Sequence, residues 1–420
     1  MEITTFGALV ALAIAIIAIL KKVPVAYGMI IGALIGGIVG GLSLQETIVV
    51  MIEGSSNMST IILRVLTAGI LAGVLIKTNA ANSIALGIMN KMGKKNAILA
   101  IILSTMILTI SGVFIDVAIL TVAPIAISVA RMTNYSKYAV LLAMVGGGKA
   151  GNIMSPNPNT IALSETFQVP LFSLMLIALI PAIIGVVLTS FLVKKISKKG
   201  EMIKEDEVVE INNDAMPSFT AAIIGPVSIL VILSLRPLFG ISIDPMIALP
   251  LGALIGTIAM GKLSNFNEYM QEGIKRMMPV AVMLIGTGTL AGIISNSTLA
   301  TDMINLVAAV GLPEFLLAPM AGMTMSFATA STTAGATLAA ESFGTAITAS
   351  GIQPIFAALM VHTGATVLDH MPHGSFFHST GGSVSIKTSD RLKLIPYETL
   401  IGFTIMLSSI VLFLIVSLII

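Results

Sequence analysis

The chain has 420 residues, of which 56% are hydrophobic and only 10% charged, with a formal net charge of +2. Soluble domains carry about 25% charged residues, so this composition describes a polytopic membrane protein. The small net charge, with no basic patch interleaved with aromatics, argues against nucleic acid as a partner, and the absence of cysteine excludes disulfides, thiolate metal sites and cysteine nucleophiles.

A membrane-crossing helix needs about 20 apolar residues. On that criterion the first half has spans at 4–20, 24–42, 58–77, 138–163 and 170–193, and the second at 218–236, 244–262, 277–295, 354–378 and 398–419. Thr5–Leu20 is followed by Lys21 and Lys22 and has no small-residue cleavage site, so it reads as a span and not a leader. Two further apolar stretches, 97–131 and 313–347, are interrupted by Thr109-Ile110-Ser111-Gly112 and by Ala328-Thr329-Ala330-Ser331-Thr332-Thr333-Ala334-Gly335. Their polar centres point to re-entrant hairpins. A polar linker, 194–217, carries Glu201, Glu205, Asp206, Glu207 and Glu210 among its lysines and divides a first repeat, 1–193, from a second, 218–420.

Lysine and arginine favour the cytoplasmic side of short loops. With both termini external, all of the 22 basic residues except Arg64, Lys149 and Arg236 fall on the inner side, and the linker is cytoplasmic. The chain also repeats itself. Gly32-Ala33-Leu34-Ile35-Gly36 recurs 220 residues later as Gly252-Ala253-Leu254-Ile255-Gly256. Glu53-Gly54 and Leu71-Ala72-Gly73 recur as Glu272-Gly273 and Leu290-Ala291-Gly292, and Thr109-x-Ser111 as Thr329-x-Ser331. Each half then holds five crossings and one hairpin. An odd number of crossings makes the repeats inverted, an arrangement used by secondary transporters. The expected fold class is an all-α polytopic membrane protein of two inverted-topology repeats with broken helices at the midplane.

One stretch stands out, Gly146–Ala162, with glycines, Lys149, Asn152, Asn157, Asn159, Pro156 and Pro158 inside an otherwise apolar span. Proline removes a backbone donor and clashes with the preceding turn, so the helix is expected to open. Its partner in the second half runs from His362 to Gly374; Met154 matches Met371 and Asn152 matches Asp369, at an offset of 217. Two hairpin tips and two broken helices can thus meet near the midplane. Exposed helix N-termini suit a carboxylate, while freed carbonyls, hydroxyls and amides suit a cation or a polyol.

The expected substrate site comprises Ser111, Gly112, Lys149, Asn152, Ser155, Asn157, Asn159 and Thr160 from the first half, and Thr329, Ser331, Thr332, Thr333 and Thr363 from the second. Lys149 would hold the substrate's charge. Asp116, Asp369, His370 and His373 are the expected proton or cation groups; ionisable residues at membrane depth are costly and mark function or pairing. Blander readings stand beside these. Asn157-Pro158 could be a simple kink, the hydroxyls could bond carbonyls within their own helices, and Asp116 could pair structurally with Lys149. Arg64 reads as a residue snorkelling outward, and His378 as structural. The spacing of His362, His370, His373 and His378 matches no zinc motif, and no cofactor is implied. An intramembrane hydrolase built on Ser155 and a histidine lacks every familiar motif. A channel needs neither duplicated hairpins nor charges at a closed midplane site.

The Gly-rich segment, Pro156-x-Pro158-x-Thr160-x-Ala162, and Gly364-Ala365-Thr366-Val367-Leu368-Asp369-His370 followed by Gly374-Ser375-Phe376 resemble the gluconate permease (GntP) family of the ion transporter superfamily. The resemblance covers most of the chain. It implies a homodimer in the inner membrane, with a scaffold part and a moving transport part in each protomer. It also implies symport of a sugar acid or related carboxylate with protons, or with Na⁺ as in sister families. Protons are the preferred coupling ion, because histidines and two aspartates are at hand; a Na⁺-coupled di- or tricarboxylate carrier and a cation/H⁺ antiporter are the alternatives within the superfamily.

Overall fold

A computed structural model of the protein describes residues 3–207, 216–309, 311 and 313–419. Among the described residues the regular structure is helical, apart from isolated bridges at Ile3–Ser297 and Ser136–Met202. Six helices are long and apolar enough to cross a membrane: Ser59–Lys77, Ile115–Thr133, Leu171–Ile196 (bent at Ala178), Phe219–Phe239, Leu263–Ser295 and Thr388–Ile419. Shorter apolar helices include Thr5–Leu20, Val25–Val39, Ala97–Ile110, Pro245–Ala259 and Pro354–Ala365. Helices satisfy their own backbone, which is what a bilayer demands of a spanning chain.

Most spans read from hydropathy fall on these helices, but two differences matter. The span read at 277–295 is the end of a longer helix, Phe266–Ser295. Its first turns carry Glu268, Gln271, Glu272, Lys275 and Arg276 and so look like loop. They are helical because Tyr269 and Gly273 pack against Ser59–Lys77. Four helices lie outside every span and hairpin read from the sequence: Leu44–Asn57, Ala80–Met92, Leu299–Ala309 and the short Thr388–Leu392. The first is too polar for a hydropathy criterion, yet it opens on a capping box: Ser43 Oγ accepts from Glu46 N at 3.2 Å, and Ser43 N donates to Glu46 Oε2 at 2.8 Å.

The interrupted stretches each fold as helix–turn–helix. Ala97–Ile110 and Ile115–Thr133 reverse at Gly112, whose φ of +89° suits glycine alone. Leu317–Thr329 and Thr332–Ala349 reverse at Ala330, in a left-handed conformation, and Gly335 packs back on Ser326. The two long polar-centred spans are broken. One runs Lys137–Asn152 and then Pro158–Thr166; the other runs Pro354–Ala365 and then Ser375–Ser383. Every residue of Lys137–Asn152 is buried. The glycines before the break are therefore not helix breakers. They admit neighbours: a Cβ on Gly147 would lie 2.9 Å from the Ile102 carbonyl carbon, and Gly151 sits on Thr109 and Met106.

The linker folds back at its start. Lys137 N donates to Glu201 O at 2.9 Å, and Lys137 Nζ meets Glu207 Oε1 at 2.6 Å and Glu201 Oε2 at 3.2 Å. Residues 208–215 of the linker, Glu210 among them, lie outside the described residues.

Away from the breaks, Phe266–Ser295 crosses Leu44–Asn57 and Ser59–Lys77 through glycines. A Cβ on Gly54 would lie 2.7 Å from the Gly292 Cα, and one on Gly73 would lie 2.6 Å from the Gly273 nitrogen. Small residues let helix backbones approach closely in membranes. A methyl on Gly273 would strike the Gly69 backbone, whereas Gly382 has nothing within 4 Å. Thermal unfolding in detergent is expected to show Gly273→Ala destabilised by about 1–3 kcal/mol, the usual cost of overpacking. Gly382→Ala should be neutral or stabilising.

Candidate functional site

The first break is held by one asparagine. Asn157 Oδ1 accepts from Thr160 N at 3.1 Å, capping the outgoing helix, with Pro158 at its first position. Asn157 Nδ2 donates to Asn152 O and to Asn152 Oδ1, both at 2.7 Å, and so satisfies the end of the incoming helix. The helix opens, and both raw ends are closed by the same side chain.

The second break is held from across the molecule. Lys149 Nζ donates to the Thr366 carbonyl and pairs with Asp369 Oδ1, and it lies 3.3 Å from His370 Nδ1. Asp369 Oδ2 accepts from Thr332 Oγ1 at 2.7 Å, bringing in the start of the second hairpin's outgoing helix. Thr333 Oγ1 bonds Asn159 Oδ1, tying the same hairpin to the first broken helix. His370 Nε2 faces Thr399 Oγ1 at 3.1 Å. Lys149 and His370 are fully buried, and Asp369 is 3% exposed. An unpaired charge here would be severely destabilising, so these partners stand or fall together.

Beside this network lies a cavity of about 430 Å³. Its walls bring three helix starts together: Phe114–Val117, Ala330–Thr333, and Ser375 with Phe376. Asp369 forms part of the wall, and Arg276 and Pro279 close another side. Helix starts carry unpaired N–H groups and about half a positive charge. The N-caps Phe114 and Gly374 offer no side-chain bond to their helices, while Ser331 Oγ accepts from Ala334 N at 3.3 Å. Asp116 turns on its own helix, accepting from Val117 N at 2.9 Å. Two uncapped helix starts and Arg276, whose Nε lies 2.7 Å from Glu272 Oε1, thus meet Asp116 and the Lys149-paired Asp369, which suits an anion whose charge is offset by a proton or cation.

Of the residues expected at a substrate site, Ser331, Thr332 and Thr333 line this cavity, as do Asp116 and Asp369. Several do not. Lys149, expected to face a substrate, is enclosed; its ammonium is spent on Thr366, Asp369 and His370. The alternative pairing of Asp116 with Lys149 is replaced by Lys149–Asp369. Asn152, Ser155, Asn157, Asn159 and Thr160 are buried and do not line the cavity. Ser111 Oγ returns to Ile107 O at 2.7 Å and Thr329 Oγ1 to Met325 O at 2.9 Å, the local bonding that such residues favour. Gly112 faces Leu71, and Thr363 turns away to Ser409 Oγ at 2.8 Å. His373 bonds Phe327 O and His378 bonds Pro372 O, both at 2.9 Å, while neither nitrogen of buried His362 has a partner. Arg64 does not snorkel freely. It is clamped between Glu165 and Asp244, with Nη2 2.7 Å from Asp244 Oδ2, beside a second cavity of about 330 Å³. The residue that sequence reading missed is Arg276. A span taken to begin at 277 put it at a membrane edge, although it lies 10 residues into its helix, about 15 Å at 1.5 Å per residue.

Broken helices, hairpins and a cavity where they meet, in a bundle that is helical throughout its described residues apart from two isolated bridges, are the features of a membrane transporter. The structure of the YdaH transporter of Alcanivorax borkumensis superposes with a TM-score of 0.60 at 12% identity, covering 88% of each chain. That of MtrF from Neisseria gonorrhoeae, described as illuminating a class of antimetabolite efflux pumps, gives 0.61 at 14%, covering 87% of this chain and 83% of the other. At these identities the likeness is one of fold. An uncharacterized transporter of Haemophilus influenzae is 52% identical over 411 residues, 98% of both chains. The profile of the GntP family permeases matches residues 3–419, and the chain belongs to that family. Family and relatives are transporters, not enzymes, which sets the Ser155 hydrolase reading aside; Ser155 Oγ is buried without a hydrogen-bond partner.

Asn157→Ser keeps a cap but cannot reach Asn152, whereas Asn157→Ala loses both contacts. Melting temperatures are expected to fall in the order wild type, Ser, Ala, with the cap alone worth about 1 kcal/mol.

Proposed function

We propose that the protein is a secondary active transporter importing a small organic anion, a gluconate-like sugar acid or related carboxylate, by symport with protons rather than Na⁺. The observation that carries this is the cavity where three helix starts and Arg276 face Asp116 and Asp369. Arg276 and the free N–H groups would take the carboxylate. Ser331, Thr332 and Thr333 would take hydroxyls of the substrate. Asp116, with His370 and His373, supplies the proposed proton groups, while Asp369 keeps its charge against Lys149.

The proposed architecture is two inverted repeats moving by an elevator-type mechanism. Helix order supports it. From Thr5–Leu20 with Phe219–Phe239, through the hairpins, to Lys137–Asn152 with Pro354–Ala365, the elements of 1–193 recur in 218–420. The glycine crossings support it too. Under the 219-residue offset, the Gly54–Gly292 contact maps onto Gly273–Gly73. The scaffold would be the first three spans of each half, and the moving part the hairpins and broken helices. Arg64 of the scaffold, itself held by Asp244, pairs with Glu165 of the moving part. With both termini external and the chain in the inner membrane as a homodimer, the cavity at Arg276 opens to the cytoplasm.

Uptake by proteoliposomes, screened over sugar acids and hydroxy acids under separate pH and Na⁺ gradients, tests the proposal. A sugar acid is expected to accumulate with the proton gradient. Arg276→Ala should weaken its apparent affinity about tenfold or more, since a bond to a charged group is worth roughly 1.5–3 kcal/mol. Uptake of neutral or cationic solutes with no carboxylate transported would defeat the anion assignment, and dependence on Na⁺ alone would defeat the proton.

A further inference from the structure

We infer that the Lys149 ammonium is a built-in cation: it fills, from the opposite repeat, a site at the second break that would otherwise take a free monovalent cation. The ligand set is the first ground. Thr366 O lies just past the end of Pro354–Ala365, where helix carbonyls lack partners and the dipole is negative. Asp369 adds a carboxylate, and His370 Nδ1 stands 3.3 Å away. Carbonyls freed at a break, with a carboxylate, are what a hard cation binds. The donor present is a side chain that is 0% exposed, reaching in from the other broken helix.

The second ground is the first break. There the incoming helix's terminal carbonyl, that of Asn152, is filled by Asn157 Nδ2 at 2.7 Å, a neutral amide from its own segment. The second half has no such asparagine; the corresponding stretch, Val367 to Gly374, reads Val-Leu-Asp-His-Met-Pro-His-Gly. It has Asp369 instead, and a carboxylate beside freed carbonyls demands positive charge rather than an amide. Lys149 supplies it. Lys149 and Thr366 are themselves the equivalent positions of the two halves, 217 residues apart, so the two breaks are joined at corresponding points. A lysine in the first half with no counterpart in the second is thereby explained. It is the second half's cation, carried by the first.

The consequence is that neither break leaves a vacancy for Na⁺ or K⁺. This deepens the proton-coupled reading and rests on it for its role in transport. Cation binding, however, is measured without any organic anion, so it fails independently of the substrate assignment. Purified full-length wild type should show the same Tm in choline, sodium, potassium and methylammonium chloride at matched ionic strength. Lys149→Ala should melt lower in choline chloride and recover, saturably, in methylammonium or sodium chloride, as a ligand that binds only the folded state requires. Lys149→Ala/Asp369→Asn should lose that recovery. If Lys149→Ala cannot be purified in choline, Lys149→Gln prepared with methylammonium and then exchanged gives the same reading. A folded lysine variant indifferent to all four salts would overturn the inference in favour of a purely structural ion pair. So would a wild-type Tm raised by sodium in a manner abolished by Asp369→Asn, or a Lys149→Ala Tm in choline chloride equal to that of wild type.

Discussion

A helix opened inside an apolar bundle leaves carbonyls and N–H groups that water cannot satisfy, at a cost of several kcal/mol for each one left bare. Everything distinctive about this protein follows from meeting that demand twice. At the first break Asn157 closes both raw ends by itself. At the second the partners come from elsewhere: Lys149 from the first broken helix and Thr332 from the second hairpin. One break is therefore self-contained and the other is a junction. The junction binds hairpin, broken helix and counterpart into a single body, and beside it two helix starts, after Phe114 and Gly374, face the cavity without a side-chain cap from their N-cap residues.

The crossings of Phe266–Ser295 with Leu44–Asn57 and Ser59–Lys77 meet a different demand. There two helix pairs cross closely, and glycines at Gly54, Gly73, Gly273 and Gly292 permit the backbone contact. Glycine has a second use in Lys137–Asn152, a helix buried on every face. There Gly147 and Gly151 let the Ala97–Ile110 arm press against it. The same residue type that suggests flexibility in the sequence produces rigid close packing in the structure.

Apolar spans and both broken segments were legible because length and proline placement are local properties. The extent of the broken region was not. Gly146–Gly148 read as an interruption but are helical, since their burial depends on partners such as Ile102 and Thr189 that no local pattern names. Amphipathic helices such as Leu44–Asn57 escaped a hydropathy criterion, although Ser43-x-x-Glu46 marked one of them. Among site residues, polar type identified the neighbourhood but not the direction of each side chain. Thr332 and Thr333 reach other elements, while Ser111 and Thr329 return to their own helices. Arg276 was hidden by an uncertain helix start, and the Lys149 partner by a contact across 220 residues.

The central claim is that the cavity between the hairpin tips and Arg276 is the substrate's resting place. The protein contains no cysteine, so a single one can be introduced without background. Phe376→Cys, in the cavity wall, should react with a membrane-impermeant maleimide from the cytoplasmic face and be protected by the transported anion. Labelling that is unchanged by every anion the protein takes up would contradict that claim.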